Sequence, residues 1–260
     1  MLSLTKSPIE LGEGIYWVGS ASEIDHLNCN PYLIVDGTEG VLIDPGSPLD
    51  FEEVLSKVTQ ILPVEQLRYI ILQHQDPDFC ASTPMFEKHG FRGELATHWR
   101  TAHLLPFYGV QSPFYLVNEH RLTLHFGNGR KLLFHPTPYL HFPGAITTYD
   151  PVSKTLFSSD LFGAFCKEFF LFAEDWPDGH YLEAMKGFHE HYMPSNEILR
   201  PAIESLSMLD IRQIAPQHGS VIRQDIPLYI RTLRDLECGA FLRPIKKKLS
   251  ALTGNTTILN

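Results

Sequence analysis

The sequence predicts an α/β protein, an αββα sandwich of two mixed β-sheets flanked by helices. Short β-branched and aromatic runs come in groups, each followed by apolar residues at helical spacing, and this order of strands then helix occurs twice. No Gly-x-Gly-x-x-Gly or Walker-type loop is present, so the dinucleotide- and P-loop-binding folds are disfavoured. No linker-like composition interrupts residues 10 to 240 of the 260. One domain is therefore expected over 1–240, with 241–260, which holds Arg243 and Lys246-Lys247-Lys248, as a C-terminal tail or linker.

Residues 14–19, 31–36 and 41–44 read as a β-meander separated by glycine and turn residues. Pro45-Gly46-Ser47-Pro48 then opens a helix: Ser47 suits a cap, Pro48 the first turn, and Asp50, Glu52 and Glu53 complement the dipole. Phe51, Val54, Leu55, Val58, Ile61 and Leu62 give that helix one apolar face. Arg68 to Gln73 is an apolar run that reads as a buried strand, Thr83 to His89 as a short helix, and 93–96 as a strand. Residues 99–120 are rich in aromatics and broken by proline and glycine, which suits irregular packing or a lid. Strands resume over 121–148 and 154–159, helices over 179–192 and from Pro194-Ser195-Asn196, then a strand over 211–217 and a last helix over 227–238.

The formal charge of −9 argues against nucleic acid and against an anionic membrane surface, so the ligand is expected to be small, neutral or delivered by a partner. Cys29, Cys80, Cys166 and Cys238 stand apart with no Cys-x-x-Cys pair, so a zinc knuckle, a rubredoxin-like site and an iron–sulfur cluster lack ligands. Met1 to Gly14 has no apolar core of a signal peptide, and no stretch is apolar enough to span a bilayer. A cytoplasmic location is expected.

The chemistry concentrates at four strand ends. His74-Gln75-Asp76-Pro77-Asp78 leaves the 68–73 strand, and in extended chain residues 74, 76 and 78 share one face. Turn chemistry alone also explains Asp and Pro after a strand. Three further junctions favour a metal site: 131–134 leads to His141, 154–159 stops at Asp160, and 211–217 stops at His218-Gly219. His89, His98, His103, His120, His125, His135, His180, His189 and His191 are expected to be exposed or at the core edge, with His135 the nearest rival ligand. Phe142, Phe162, Phe165, Phe169, Phe170 and Phe172 follow ligand positions and suit core packing or a dry wall for the pocket.

These residues resemble the metallo-β-lactamase-fold domain of flavodiiron proteins and the related oxygen-binding diiron proteins. The resemblance runs through most of residues 10 to 240 and rests on five motifs in order. They are His74 to Phe79 for His-x-Glu-x-Asp-His, Leu140-His141-Phe142-Pro143 for Leu-His-Trp-Pro, Asp160-Leu161-Phe162-Gly163 for Asp-Ala-Phe-Gly, Met193-Pro194, and Ala215-Pro216-Gln217-His218-Gly219. The resemblance implies two iron ions, one held by His74, Asp76 and His141, the other by Asp78 and His218, with Asp160 bridging. Manganese or zinc are the alternative metals, and no flavin is expected on this chain, because the stretch after residue 240 is too short for a flavin fold. Asp44 matches a buried structural aspartate of the wider superfamily.

Two departures stand out. Asp76 occupies the family's Glu position and is one methylene shorter; Phe79 occupies the position of the second iron's histidine, with water or His26 to fill the gap and His26 read as a pocket or outer-sphere residue. The implied function is binding of dioxygen by a sensor or carrier, or reduction of dioxygen or nitric oxide with electrons from a separate flavoprotein or rubredoxin-like donor; a downstream signalling module is the other expected partner, and a homodimer is implied. The alternative is a zinc-dependent hydrolase of the same fold. Asp76, where hydrolytic relatives have histidine, argues against it.

Overall fold

Alternating apolar residues and tight turns carry the first third of the chain into one sheet. The computed structural model describes residues 6–20, 28–166, 168–177, 180–239 and 242–253, without the side chains of 243, 246 and 250. Strands β1 (Ile9–Gly12), β2 (Ile15–Trp17), β3 (Tyr32–Asp36) and β4 (Glu39–Ile43) form the expected meander plus one strand before it. Helix α1 (Phe51–Thr59) then crosses over, so β5 (Leu67–Ile71) lies parallel to β4, followed in parallel by β6 (Glu94–Thr97) and β7 (Phe114–Leu116). The sheet order β1 to β7 follows the chain.

The second sheet has the order β12-β11-β10-β9-β8, from β8 (Thr123–Phe126), β9 (Arg130–Pro136), β10 (Ile146–Asp150), β11 (Thr155–Phe157) and β12 (Gln213–Ala215). All its pairs are antiparallel except β11 with β12, so both sheets are mixed. Ile34, Ile71, Leu132, Ile146 and Phe157, all fully buried, belong to the core cluster shared by strands of the two sheets. Short helices α2 (Pro77–Cys80), α3 (Thr83–Lys88) and α4 (Trp99–Ala102) join α1 around the first sheet, where Phe51, Val54 and Val58 of α1 meet Leu33, Leu42 and Ile70. Helices α5 (His180–Tyr192), α6 (Asn196–Leu206) and α7 (Ile226–Asp235) cover the second, and Met185, Leu199, Ile203 and Leu233 seal it. The expected αββα sandwich is therefore present.

Three local features bear on these expectations. Ser47 does not cap α1: its hydroxyl donates to Asp50 (3.2 Å) and accepts from Leu49 N–H, closing a turn ahead of the helix. Residues 99–120 are ordered packing, because β7 pairs with β6 and Tyr108 Oη donates to Gln75 O at 2.9 Å, supporting the loop that carries His74. The segment expected as tail or linker contains a helix, α8 (Leu242–Thr253). No helix among the described residues is long and apolar enough to cross a membrane.

Candidate metal centre

Strand β5 delivers His74 through one buried carboxylate. Asp44, at the end of β4, has φ 48° and no exposed surface, and it accepts from Gln73 N–H (2.8 Å) and from Gln73 Nε2 (2.7 Å). Burial raises the Asp44 carboxyl to about 7, against the two Gln73 hydrogen bonds that lower it. The chain beyond His74 is not fully extended as the alternation suggested. Asp76 precedes α2, with Pro77 at its first position, and makes no capping bond. Asp78 lies in that helical turn, so the two carboxylates part company and reach different neighbours.

The other three residues leave the second sheet. His141 sits in the turn between β9 and β10 that Thr137 N–H closes on Ala145 O at 2.9 Å. Asp160 follows β11 in a turn whose Phe162 N–H donates to His189 Nε2 at 3.1 Å. His218 follows β12, and the next residue must be glycine: Gly219 has φ 78°, and a Cβ there would lie 2.7 Å from Tyr181 Oη. The Asn28 carbonyl can only accept, so His218 Nδ1 donates to it at 2.7 Å, leaving Nε2 to face the carboxylates.

All six expected side chains converge around Asp160. Its Oδ2 lies 2.6 Å from His74 Nε2 and 3.4 Å from His141 Nε2, while its Oδ1 lies 3.4 Å from His218 Nε2. Asp76 Oδ2 is 3.3 Å from His141 Nε2, and Asp78 Oδ2 is 3.1 Å from His218 Nε2. Two bonds of about 2.1 Å meeting at a tetrahedral or right angle hold their donor atoms about 3.0–3.4 Å apart. The four pairs at 3.1–3.4 Å fit that spacing, whereas the His74–Asp160 contact is a hydrogen bond whose proton a cation would displace.

Burial opposes charge on His74 and His218, yet Asp160 outweighs it at His74, and Asp160, Asp78 and Cys29 outweigh it at His218, raising both imidazoles. Burial likewise pushes Asp160 and Asp78 up, but His74 and His218 hold Asp160 well below the usual carboxylate range, and His218 lowers Asp78. Asp160 and Asp78 thus favour the ionised form beside imidazoles that favour the protonated form, and cations can take the place of those protons.

Donor atoms of His74, Asp76 and His141 lie within 4.8 Å of one another, as do those of Cys29, Asp78 and His218. Cys29 was not expected. The backbone around it is tied to the His218 turn by Asn30, which is fully buried and donates through Nδ2 to Pro216 O (3.1 Å) and Gly219 O (2.7 Å). Sequence offers only a weak signal for this, a Cys beside Asn28 and Asn30 at the start of a strand.

Phe79 packs over His74, ring centroids 3.7 Å apart, and presents no donor atom. His26 lies outside the described residues. A cleft of about 510 Å³ reaches Asp76, Asp78, His141, Asp160 and His218, and its apolar wall includes Leu49, Phe188 and Tyr192. Phe142 is half-buried beside His141 and is not among the cleft residues; the aromatic wall comes instead from α5, with Phe165 against Phe188 and Tyr192. Two histidines expected to be exposed or at the core edge are buried and structural. His189, with no exposed surface, donates from Nδ1 to Met185 O (2.7 Å), and His98 caps α4 by accepting from Arg100 N–H. His135, on β9, belongs to neither donor group.

Comparison with known proteins agrees with this architecture. Nitric oxide reductase of Moorella thermoacetica is 26% identical over 234 residues, covering 84% of this chain and 58% of that protein. The crystal structure of the flavodiiron protein from Giardia intestinalis matches with a TM-score of 0.80 and 25% identity over 87% of this chain and 58% of the other. The apo state of the chemotaxis sensor ODP from T. denticola has the same fold, with a TM-score of 0.76 and 24% identity over 92% of this chain and 97% of that one. The chain spans less than two thirds of the length of the curated relatives it matches. The model of a family described as ODP family beta lactamase matches residues 27–219, which carry every described residue of the candidate centre. The protein belongs to that family.

Proposed function

We propose that the chain holds two iron ions and uses them to bind dioxygen or nitric oxide. The observation that carries this reading is the position of Asp160, one carboxylate oxygen toward His74 and His141 and the other toward His218. In this reading His74, Asp76 and His141 hold one ion, Asp78 and His218 the other, and Asp160 joins them. Three imidazoles and three carboxylates form a hard donor set that suits non-haem iron. Iron supplies open positions at which a diatomic gas can bind. The chain's own contributions are electrostatic and steric: Asp44 fixes the β5 end, His189 fixes the Asp160 turn, and Phe188 and Tyr192 keep the cleft wall apolar.

The relatives supply two versions of the function. One relative is named a nitric oxide reductase and one structural neighbour a chemotaxis sensor; as a reductase this chain would receive electrons from a separate flavoprotein or rubredoxin-like donor, and as a sensor it would pass its ligand state to a signalling partner. A homodimer, and residues 1–240 acting as the metal-holding body, are parts of the same proposal. The test is rapid mixing of anaerobically reduced, iron-loaded protein with air-saturated buffer. A visible absorption band lasting many seconds supports gas binding as the function, and rapid return to the oxidised resting spectrum supports reduction. A spectrum indifferent to both dioxygen and nitric oxide overturns the proposal.

A further inference from the structure

Without Cys29 the two halves of the centre are unequal. Among the described residues, His74, Asp76 and His141 surround one side of Asp160, whereas the other side has only Asp78 and His218 of the expected ligands, because Phe79 presents a ring with no donor atom where the resemblance led to a histidine. Among the described residues, Cys29 is the further donor grouped with Asp78 and His218. Its side chain is 5% exposed and offers its sulfur within 4.8 Å of the Asp78 and His218 donor atoms.

The position is built rather than incidental. His218 Nδ1 donates to the carbonyl just before Cys29, while Asn30 just after it accepts from Trp17 Nε1 (2.9 Å) and donates to Pro216 and Gly219. Asn30 N–H also bonds Gln217 O at 2.8 Å, and Tyr32 Oη bonds Pro216 O at 2.8 Å. The segment bearing the thiol and the turn bearing the imidazole are therefore bonded to each other at several points, and Cys29 lines the cleft.

We propose that Cys29 is a ligand of the second metal ion, completing a Cys29–Asp78–His218 set with Asp160 shared. This rests on the two-metal reading above. On binding, the sulfur–metal bond forms as the S–H bond breaks, and the proton leaves to solvent. The two metals then differ: one sits among nitrogen and oxygen donors only, the other also takes a soft, strongly donating thiolate.

Cobalt(II) titrated into metal-free protein tests this apart from any activity. Wild type is expected to take up two equivalents, with an intense near-ultraviolet sulfur-to-cobalt charge-transfer band tied to one of them. Cys29→Ala should lose the band and bind that equivalent at least about 10-fold more weakly. Cys166→Ala and Cys238→Ala should keep it. Two equivalents bound by wild type with no such band, or an unchanged band in Cys29→Ala, overturns the assignment while leaving a two-metal centre standing. Failure to bind any cobalt overturns both.

Discussion

Replacing Asp160 with Asn keeps the shape of the side chain and removes the charge at the middle of the centre. In the structure this carboxylate is 1% exposed and faces His74 at 2.6 Å and His141 and His218 at 3.4 Å. As the group common to both donor sets, its loss should weaken both metals, each by at least the roughly 10- to 100-fold that loss of a mere supporting residue costs, equivalent to about 1.4–2.8 kcal/mol per ion or more. Asp76→Asn and Asp78→Asn touch only one set each and should weaken one metal each. The assay is anaerobic titration of iron(II) against a chromophoric chelator for all three variants, with bound metal checked by elemental analysis. If Asp160→Asn weakened one equivalent only, or neither, Asp160 would not be the bridge.

His189 is buried, and burial lowers its pKa to about 4. Because the folded pKa lies below the unfolded value of about 6.5, its contribution is complete above pH 6.5 and declines as pH falls toward 4. Urea unfolding of metal-free protein should therefore show wild type losing up to about 3 kcal/mol relative to His189→Gln over that range; a pH-independent difference would contradict it. Asn30→Ala removes the acceptor of the Trp17 N–H and the donor to the Gly219 carbonyl, and leaves the Pro216 carbonyl with Tyr32 Oη alone of its two side-chain donors. It should lower stability by at least about 1–3 kcal/mol. In the cobalt titration it should weaken the thiolate-bearing equivalent more than the other, and equal weakening of both would count against the clamp.

The parts of this protein legible in its sequence are those written by short-range rules. Strand ends at His74, Asp160 and His218 could be read because apolar runs stop abruptly at polar residues, and each of these is at the centre. Only the resemblance pairs Asp78 with His218, which it lies beside; the extended-chain argument places it with Asp76, and Pro77 instead starts a helical turn. Cys29 was illegible for a different reason. Its neighbour Asn30 reaches Gly219, 189 positions away, and no local pattern announces such a pairing. His189 was missed because its fate depends on which face of α5 turns inward, where it supports the Asp160 turn. Phe188 and Tyr192 escaped notice as cleft residues for the same reason.

Elemental analysis of protein freshly purified from cells grown in iron-replete medium bears on the diiron centre without any intermediate step. Two iron ions per chain are expected, with fewer retained by Asp160→Asn. Stoichiometric zinc with iron absent, or a chain that carries no metal, would contradict a diiron centre.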